Sequence, residues 1–406
     1  MERQREGRRR TGGQPMIERL FTNALLPDGT PADLAASGGR FVGIGNDLVA
    51  GEGTERVDLG GRLVLPGFVD GHIHLDKSFF GEPWQPHRPA ASLRDRLAAE
   101  KAMLADVRPA AVRADVLIAQ AASLGTVAMR SHVDVDATTG LSHLNAVMAM
   151  REKWRESMDI ELVAFPQAGI LTCPGTADIL DAAIREGAEV VGGIDPEGMD
   201  GNSDGHLDVV FGIAERHGAK IDIHLHEAGL PGIAQLHRIA ARTLALGMAG
   251  RVTVSHAYAL GDVDQPALDS IARALADAGV AIMTNAPGDR AFPPILRLRE
   301  HGVRLFAGND NIRDAWWPYG NGDMLQRAML IGYRSGFYTD EHLGVALGMA
   351  TTESARALGL ENRELTVGAE ATFVALPALN AAAAVAAPPS ERLVFRRGKA
   401  ADPARA

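Results

Sequence analysis

Eight short runs of β-branched and apolar residues recur along the chain, separated by longer stretches with helical periodicity. That alternation constrains the fold more than any other feature. The strand-like runs are 63–69, 127–129, 160–165, 189–194, 221–223, 252–254, 281–283 and 304–307. Helical patterns rich in Ala, Leu, Glu and Arg lie between them, at 93–104, 144–157, 177–186, 207–217, 234–246, 267–278 and 294–300. Strands that alternate with helices pair in parallel through crossovers. Eight of them predict an α/β fold closed into a (β/α)8 TIM-type barrel. An open doubly wound sheet shares the local rhythm, so the rhythm alone leaves both arrangements open.

The flanks break the rhythm. Residues 17–60 and 365–397 carry short strand signals cut by Gly and Pro, which predicts two halves of one small β-sandwich module. The expected organisation is therefore an extension over 1–15, expected to be disordered, a composite β domain from 16–62 and 360–400, and a barrel over 63–359. The Ala-rich stretch 381–387, followed by Pro388 and Pro389, reads as a surface loop.

Composition excludes several function classes. With 41 Lys and Arg against 51 Asp and Glu, the net charge is −10, and a nucleic-acid partner needs a basic face. No apolar run is long enough to span a membrane. The single cysteine, Cys173, rules out an intrachain disulfide and a Cys-based zinc site, and it fits a reducing, cytoplasmic setting. The basic start runs into Gly12, Gly13 and Pro15 and lacks the apolar segment of a signal peptide.

The chemistry is carried by where the histidines fall. Of 13, six (His72, His74, His132, His224, His226 and His256) directly follow strand-like runs. In a barrel, the C-terminal strand ends meet at one mouth, where active sites sit. Residues two apart on a strand face the same way, so His72 and His74 could grip one cation. His224, His256 and Asp310 end three further strands. Histidines plus a carboxylate from separate strands make a hydrolytic metal site with a position open to water. A second ion would want a bridging carboxylate or a modified lysine. The third strand ends in Gln167 and the fourth in Asp195, with no lysine at either, so the expected count is one. His224 is the expected ligand, and His226 the expected pocket-lining or structural neighbour.

The run Pro66-Gly67-Phe68-Val69-Asp70-Gly71-His72-Ile73-His74-Leu75-Asp76 resembles the first strand of amidohydrolases. With His132-Val133-Asp134, Phe165-Pro166-Gln167, Ser255-His256, Gly308-Asn309-Asp310 and Trp317-Pro318-Tyr319-Gly320, the chain is similar to the bacterial cytosine deaminase branch of that family over 17–397. The resemblance implies a mononuclear iron or zinc site held by His72, His74, His224 and Asp310. It implies Glu227 as the proton-shuttling glutamate, His256 as the histidine beside the reactive water, and Gln167 as the glutamine that reads the ring. Asp310 would take the water proton.

Asn311 stands where cytosine deaminase carries a second aspartate, and an amide both donates and accepts. Lys77 and Trp316 instead resemble the N-isopropylammelide isopropylaminohydrolases of the same branch. Lys77, Asn311, Trp316 and Gln167 are thus the expected substrate contacts, while Trp317 is expected in the core. Asp134 and Asp136 are read as orienting groups or structural pairs.

The expected reaction is loss of ammonia from a cytosine-like six-membered N-heterocycle, assisted by one divalent ion. The alternatives are release of an N-alkylamine or hydrolysis of a cyclic amide, and a barrel that serves as a non-catalytic scaffold. The expected partner is a small heterocycle, with homo-oligomerisation left open.

Overall fold

The computed structural model describes residues 16–401 apart from 88, 89 and 92. The extension expected over 1–15 lies outside the described residues. The chain opens with β1 (Arg19–Leu25), β2 (Pro31–Ser37), β3 (Arg40–Gly45) and β4 (Glu55–Pro66). It then lays down eight strands: β5 (Phe68–Ile73), β6 (Thr126–Asp134), β7 (Asp159–Phe165), β8 (Val190–Ile194), β9 (Lys220–Leu225), β10 (Val252–His256), β11 (Ala281–Thr284) and β12 (Leu305–Ala307). It ends with β13 (Phe373–Leu376), β14 (Leu393–Arg396) and β15 (Lys399–Ala400).

Strands β5 to β12 form one sheet in chain order, every neighbour parallel. Helices separate them, so these strands are buried on both faces, as parallel strands are; β8 reads Val-Val-Gly-Gly-Ile with every residue buried. The edges β5 and β12 meet through one parallel bridge between Ile73 and Asp310. There the Asp310 N–H donates to the His72 carbonyl at 2.7 Å. Two glycines permit this approach. A Cβ on Gly308 would lie 2.5 Å from His72 Cβ, and one on Gly71 would lie 2.7 Å from the Ala307 carbonyl oxygen.

The terminal strands form a second, seven-stranded sheet in the order β15-β14-β13-β4-β1-β2-β3. It curls over a core of Phe21, Phe41, Phe373 and Phe395. The edge strand β3 returns to the chain before β13, with the Phe41 N–H donating to Ala369 (2.9 Å) and the Gly368 N–H to Phe41 (2.8 Å). Two buried arginines fasten this module to the barrel. Arg392 forms a bidentate pair with Asp323 at 2.8 and 2.6 Å, and Arg396 reaches Asp159 at 2.8 Å. Asp323 also caps the helix Met324–Ser335.

Three expectations need correction. The run 63–69 is not one strand. Leu63–Pro66 pair with β13 in the terminal sheet, and the barrel strand starts at Phe68. The chain changes sheets at Gly67, where a Cβ would lie 2.6 Å from Val127 Cγ2; both halves are apolar, so periodicity could not divide them. The stretch 381–387 holds a helix, Ala381–Ala386, because Asn380 caps it at Ala383 (2.8 Å) and alanine has high helix propensity. The strand signal at 365–367 forms no strand. Among the described residues, no helix is long and apolar enough to cross a membrane.

Gly308→Ala should force β12 away from β5. Overpacking of this kind costs about 1–3 kcal/mol. The expected result is a lower thermal midpoint together with weaker metal uptake. Normal values for both would show that the seam tolerates a side chain.

Candidate metal centre and active site

The five strand-end groups converge. His72 is the penultimate residue of β5, His74 directly follows that strand, His224 lies on β9, His256 ends β10, and Asp310 follows β12. Ligand atoms of His72, His74 and His224 lie within 4.8 Å of one another, as do those of His72, His256 and Asp310. Asp310 Oδ1 is 3.3 Å from His74 Nε2 and 3.5 Å from His72 Nε2.

This cluster does not satisfy itself. His72 Nε2, His74 Nδ1 and both nitrogens of His224 and His256 are buried without a hydrogen-bond partner among the described residues. Each orphaned polar atom costs on the order of 1–3 kcal/mol. Burial first, then the neighbouring imidazoles, holds His72 and His224 well below the usual histidine range; burial brings His256 down to about 3. Neutral imidazoles present lone pairs rather than charge, which is what a cation requires. A divalent ion therefore fits this donor set.

The floor beneath is wired by hydrogen bonds. His72 Nδ1 lies 2.9 Å from Ser255 Oγ, and Ser255 donates to Asp222 Oδ1 at 2.7 Å. Because Ser255 gives its proton to Asp222, its oxygen accepts from His72. The proton of His72 is therefore on Nδ1 and Nε2 is free to ligate. Below that, Arg130 bridges Asp222 (3.0 Å) and Glu161 (2.6 Å). His132 stacks on His72, ring centroids 3.8 Å apart, and Phe165 stacks on His224 at 4.0 Å. The mouth also concentrates unusual backbone: Asp195, His256, Ala286 and Asp310 all have positive φ, between 33° and 72°. Such residues persist where surrounding structure holds them, and they gather at functional sites.

Above the cluster lies a cavity of about 820 Å³. Gln167, Asn311, Trp316, His74, His224, His256 and Asp310 all line it. So does His226, whose Nδ1 meets Asp195 at 2.8 Å. Trp317, expected in the core, is half-buried and lines the cavity too.

Lys77 is placed differently from its expected contact with substrate. It is 1% exposed and enclosed by Asp134 (2.9 Å), Glu100 (3.7 Å) and Gln167. Its reach to a ligand is through Gln167, because its acidic partners draw it inward. Asp134 thus pairs with Lys77, and Asp136 pairs with Lys101 at 3.1 Å while accepting from Thr138 and Thr139 in its own turn. Glu227 leans on the loop after β8. Its Oε1 accepts from the Gly198 N–H (2.6 Å) and the Glu197 N–H (3.1 Å), and its Oε2 is buried without a partner. Burial, with help from nearby Asp195, raises its carboxyl above the usual range.

Sequence reasoning missed Asn285, Ser255 and Asp314. Asn285 follows β11, lines the cavity, and donates to Asp310 Oδ2 at 2.8 Å, leaving Asp310 Oδ1 toward the histidines. Its place at a strand end was the available signal. Ser255 stands directly before His256, where its contact across the barrel with β5 leaves no mark in the sequence. Asp314 holds Asn311 and the backbone of Trp316 and Trp317.

Residues 55–399 match the amidohydrolase family. The chain is 33% identical to the N-isopropylammelide isopropyl amidohydrolase of Pseudomonas sp. (strain ADP) over 391 residues, 94% of this chain and 96% of that protein. The fold is similar to that of N-isopropylammelide isopropylaminohydrolase from Burkholderia multivorans, with a TM-score of 0.90 at 40% identity, covering 95% of this chain and 98% of that one. It is similar also to 5-methylcytosine deaminase from Klebsiella pneumoniae, with a TM-score of 0.83 at 27% identity, covering 94% and 97%.

Ser255→Ala should remove the acceptor that fixes the His72 proton. Loss of such an outer partner typically weakens metal binding about 10–100-fold. Competition against a chelator measures this, and an unchanged affinity would show that Ser255 does not hold His72 for the metal.

Proposed function

The chain belongs to the amidohydrolase family, and on that premise we propose that it uses one divalent ion to hydrolyse an exocyclic carbon–nitrogen bond on a six-membered nitrogen heterocycle. The observation that carries this reading is the cluster of buried, unpartnered imidazole nitrogens beside Asp310 in a cavity lined by the amides of Gln167 and Asn311. His72, His74, His224 and Asp310 would hold the ion. Imidazole with a carboxylate suits iron or zinc. When bound, the ion supplies Lewis acidity that makes water a nucleophile near neutral pH.

The chain's own residues do the rest. Gln167 and Asn311 orient the ring, and Trp316 supplies an aromatic wall. Asp310, held through Oδ2 by Asn285, receives the proton of the attacking water. Neutral His256 stabilises the oxygen that gains charge as the ring carbon becomes tetrahedral. Glu227 carries a proton on its free Oε2 to the neighbouring ring nitrogen, a task that suits a carboxyl raised by burial. Asp310 passes its proton to the exocyclic nitrogen, the new hydroxyl returns a proton to Glu227, and collapse to the ring carbonyl breaks the carbon–nitrogen bond and releases ammonia or an amine.

A specific observation favours an amine. A cavity of about 820 Å³ with Trp316, Trp317 and Leu330 in its wall has room for an N-alkyl substituent beyond one ring. The names of two relatives, which specify an isopropyl group, point the same way.

Stripping the protein with a chelator should abolish turnover, and iron, zinc or manganese should restore it. Glu227→Gln should keep its metal and lose about 10²–10⁴ in kcat. Separate assays for ammonia and for alkylamine, over amino- and N-alkylamino-substituted pyrimidines and triazines, identify the leaving group. Metal-replete protein that turns over neither class would end this reading.

A further inference from the structure

The metal site accounts for the histidines but not for Lys77. An ammonium buried to 1% exposure behind a cavity-lining glutamine does something that a surface lysine could not. It sits between Asp134 at 2.9 Å and Glu100 at 3.7 Å, and it donates to Gln167 Oε1. An ammonium has donors and no acceptor. The Gln167 atom that meets it is therefore the carbonyl oxygen, and the NH2 end is the one left for the cavity. Among the described residues, no protein group accepts from that NH2.

Asn311 is held the opposite way round. Its Nδ2 donates to Asp314 Oδ2, while Asp314 Oδ1 accepts from the backbone N–H groups of Trp316 (2.8 Å) and Trp317 (2.9 Å). Asp314 is 1% exposed. Its carboxylate is thus filled with donors, and the free end of Asn311 is its carbonyl oxygen. The two clamps are also tied to one wall, since Trp316 Nε1 donates to Glu100 Oε1 at 2.7 Å, the carboxylate beside Lys77.

A free side-chain amide is ambivalent, because turning it by half a revolution exchanges donor for acceptor. Neither of these amides has that freedom. Turning Gln167 would set an NH2 against an enclosed ammonium, and turning Asn311 would set a carbonyl against a carboxylate. Hydrogen bonds to charged groups are among the strong ones, and losing one shifts such a balance by tenfold or more.

Resting on the heterocycle-hydrolase reading above, we infer that Lys77 and Asp314 are positioning residues that fix the polarity of the site, a donor at Gln167 and an acceptor at Asn311. The consequence of that polarity is that a bound ring turns a carbonyl to Gln167 and an N–H to Asn311. A ring that carries an amino group where the carbonyl belongs meets donor with donor at Gln167. Cavity volume and aromatic walls do not distinguish these rings, because a carbonyl and an amino group have nearly the same size.

Diamino-oxo-triazine and triamino-triazine differ by that one group. Each is measured by equilibrium binding to the metal-loaded full chain and as a competitor of turnover. The oxo ring should bind at least about tenfold more tightly. Gln167→Glu leaves the Asp134 and Glu100 pairs of Lys77 in place, and its carboxylate can only accept. This variant should reverse the preference toward the triamino ring at unchanged metal content. Lys77→Met frees the amide and should bring the two dissociation constants within about threefold. Should Lys77→Met fail to fold, because Asp134 and Glu100 lose their partner, the Gln167→Glu reversal still decides the matter. Equal binding of the two rings by the unaltered protein, or a Gln167→Glu variant that keeps the oxo preference, overturns this inference and leaves the hydrolase reading standing. Binding of neither ring also overturns this inference, while the hydrolase reading is decided separately by the turnover assays over pyrimidines and triazines.

Discussion

The structure depends on how the first and last barrel strands meet. A closed barrel of parallel strands needs its two edges joined, and here the join consists of one bridge and a 2.7 Å bond from the Asp310 N–H to the His72 carbonyl. Gly71 and Gly308 make room for it by lacking side chains. The contact that closes the fold also places a carboxylate beside two imidazoles. Residues more than two hundred positions apart become neighbours because of a seam in the backbone.

Below that seam the barrel interior is organised by charge. Arg130, Glu161 and Lys220 form an ionic base, Asp222 and Ser255 relay from it, and His72 stands on the relay. Buried ions contribute little net stability unless they are fully paired. Their value here lies in orientation, since each layer fixes the proton position of the one above. The same device recurs beside the cavity, where Lys77 and Asp314 each hold one face of an amide. Charge with no exposure to water sets which way neutral groups point.

Much of the fold was legible in the sequence, because short apolar runs and period-3.6 patterns report burial directly. Seven of the eight barrel strands lie where apolar runs end in polar residues. The first does not, because Leu63–Val69 is apolar throughout while serving two sheets. The Ala-rich helix at Ala381–Ala386 was legible through its Asn380 cap and its alanine content. In the site, His72, His74, His224, His256 and Asp310 announced themselves by position after a strand. Asn285 had the same signal and was passed over, being neither an acid nor an imidazole. Lys77 was legible as unusual but not as enclosed, since burial by Asp134 and Glu100 depends on β6 and on the helix Leu93–Ala105 lying beside it.

Local chemistry by itself determined the alternation of strands and helices, and with it which side chains stand at strand ends, because those properties follow from spacing along one segment. Tertiary structure alone decided which nitrogen of His72 is free, which end of Gln167 faces the cavity, and where the chain leaves one sheet for the other. Each of those depends on an atom supplied by a distant strand or loop, and a hydrogen bond across a barrel leaves no periodicity in the sequence that forms it.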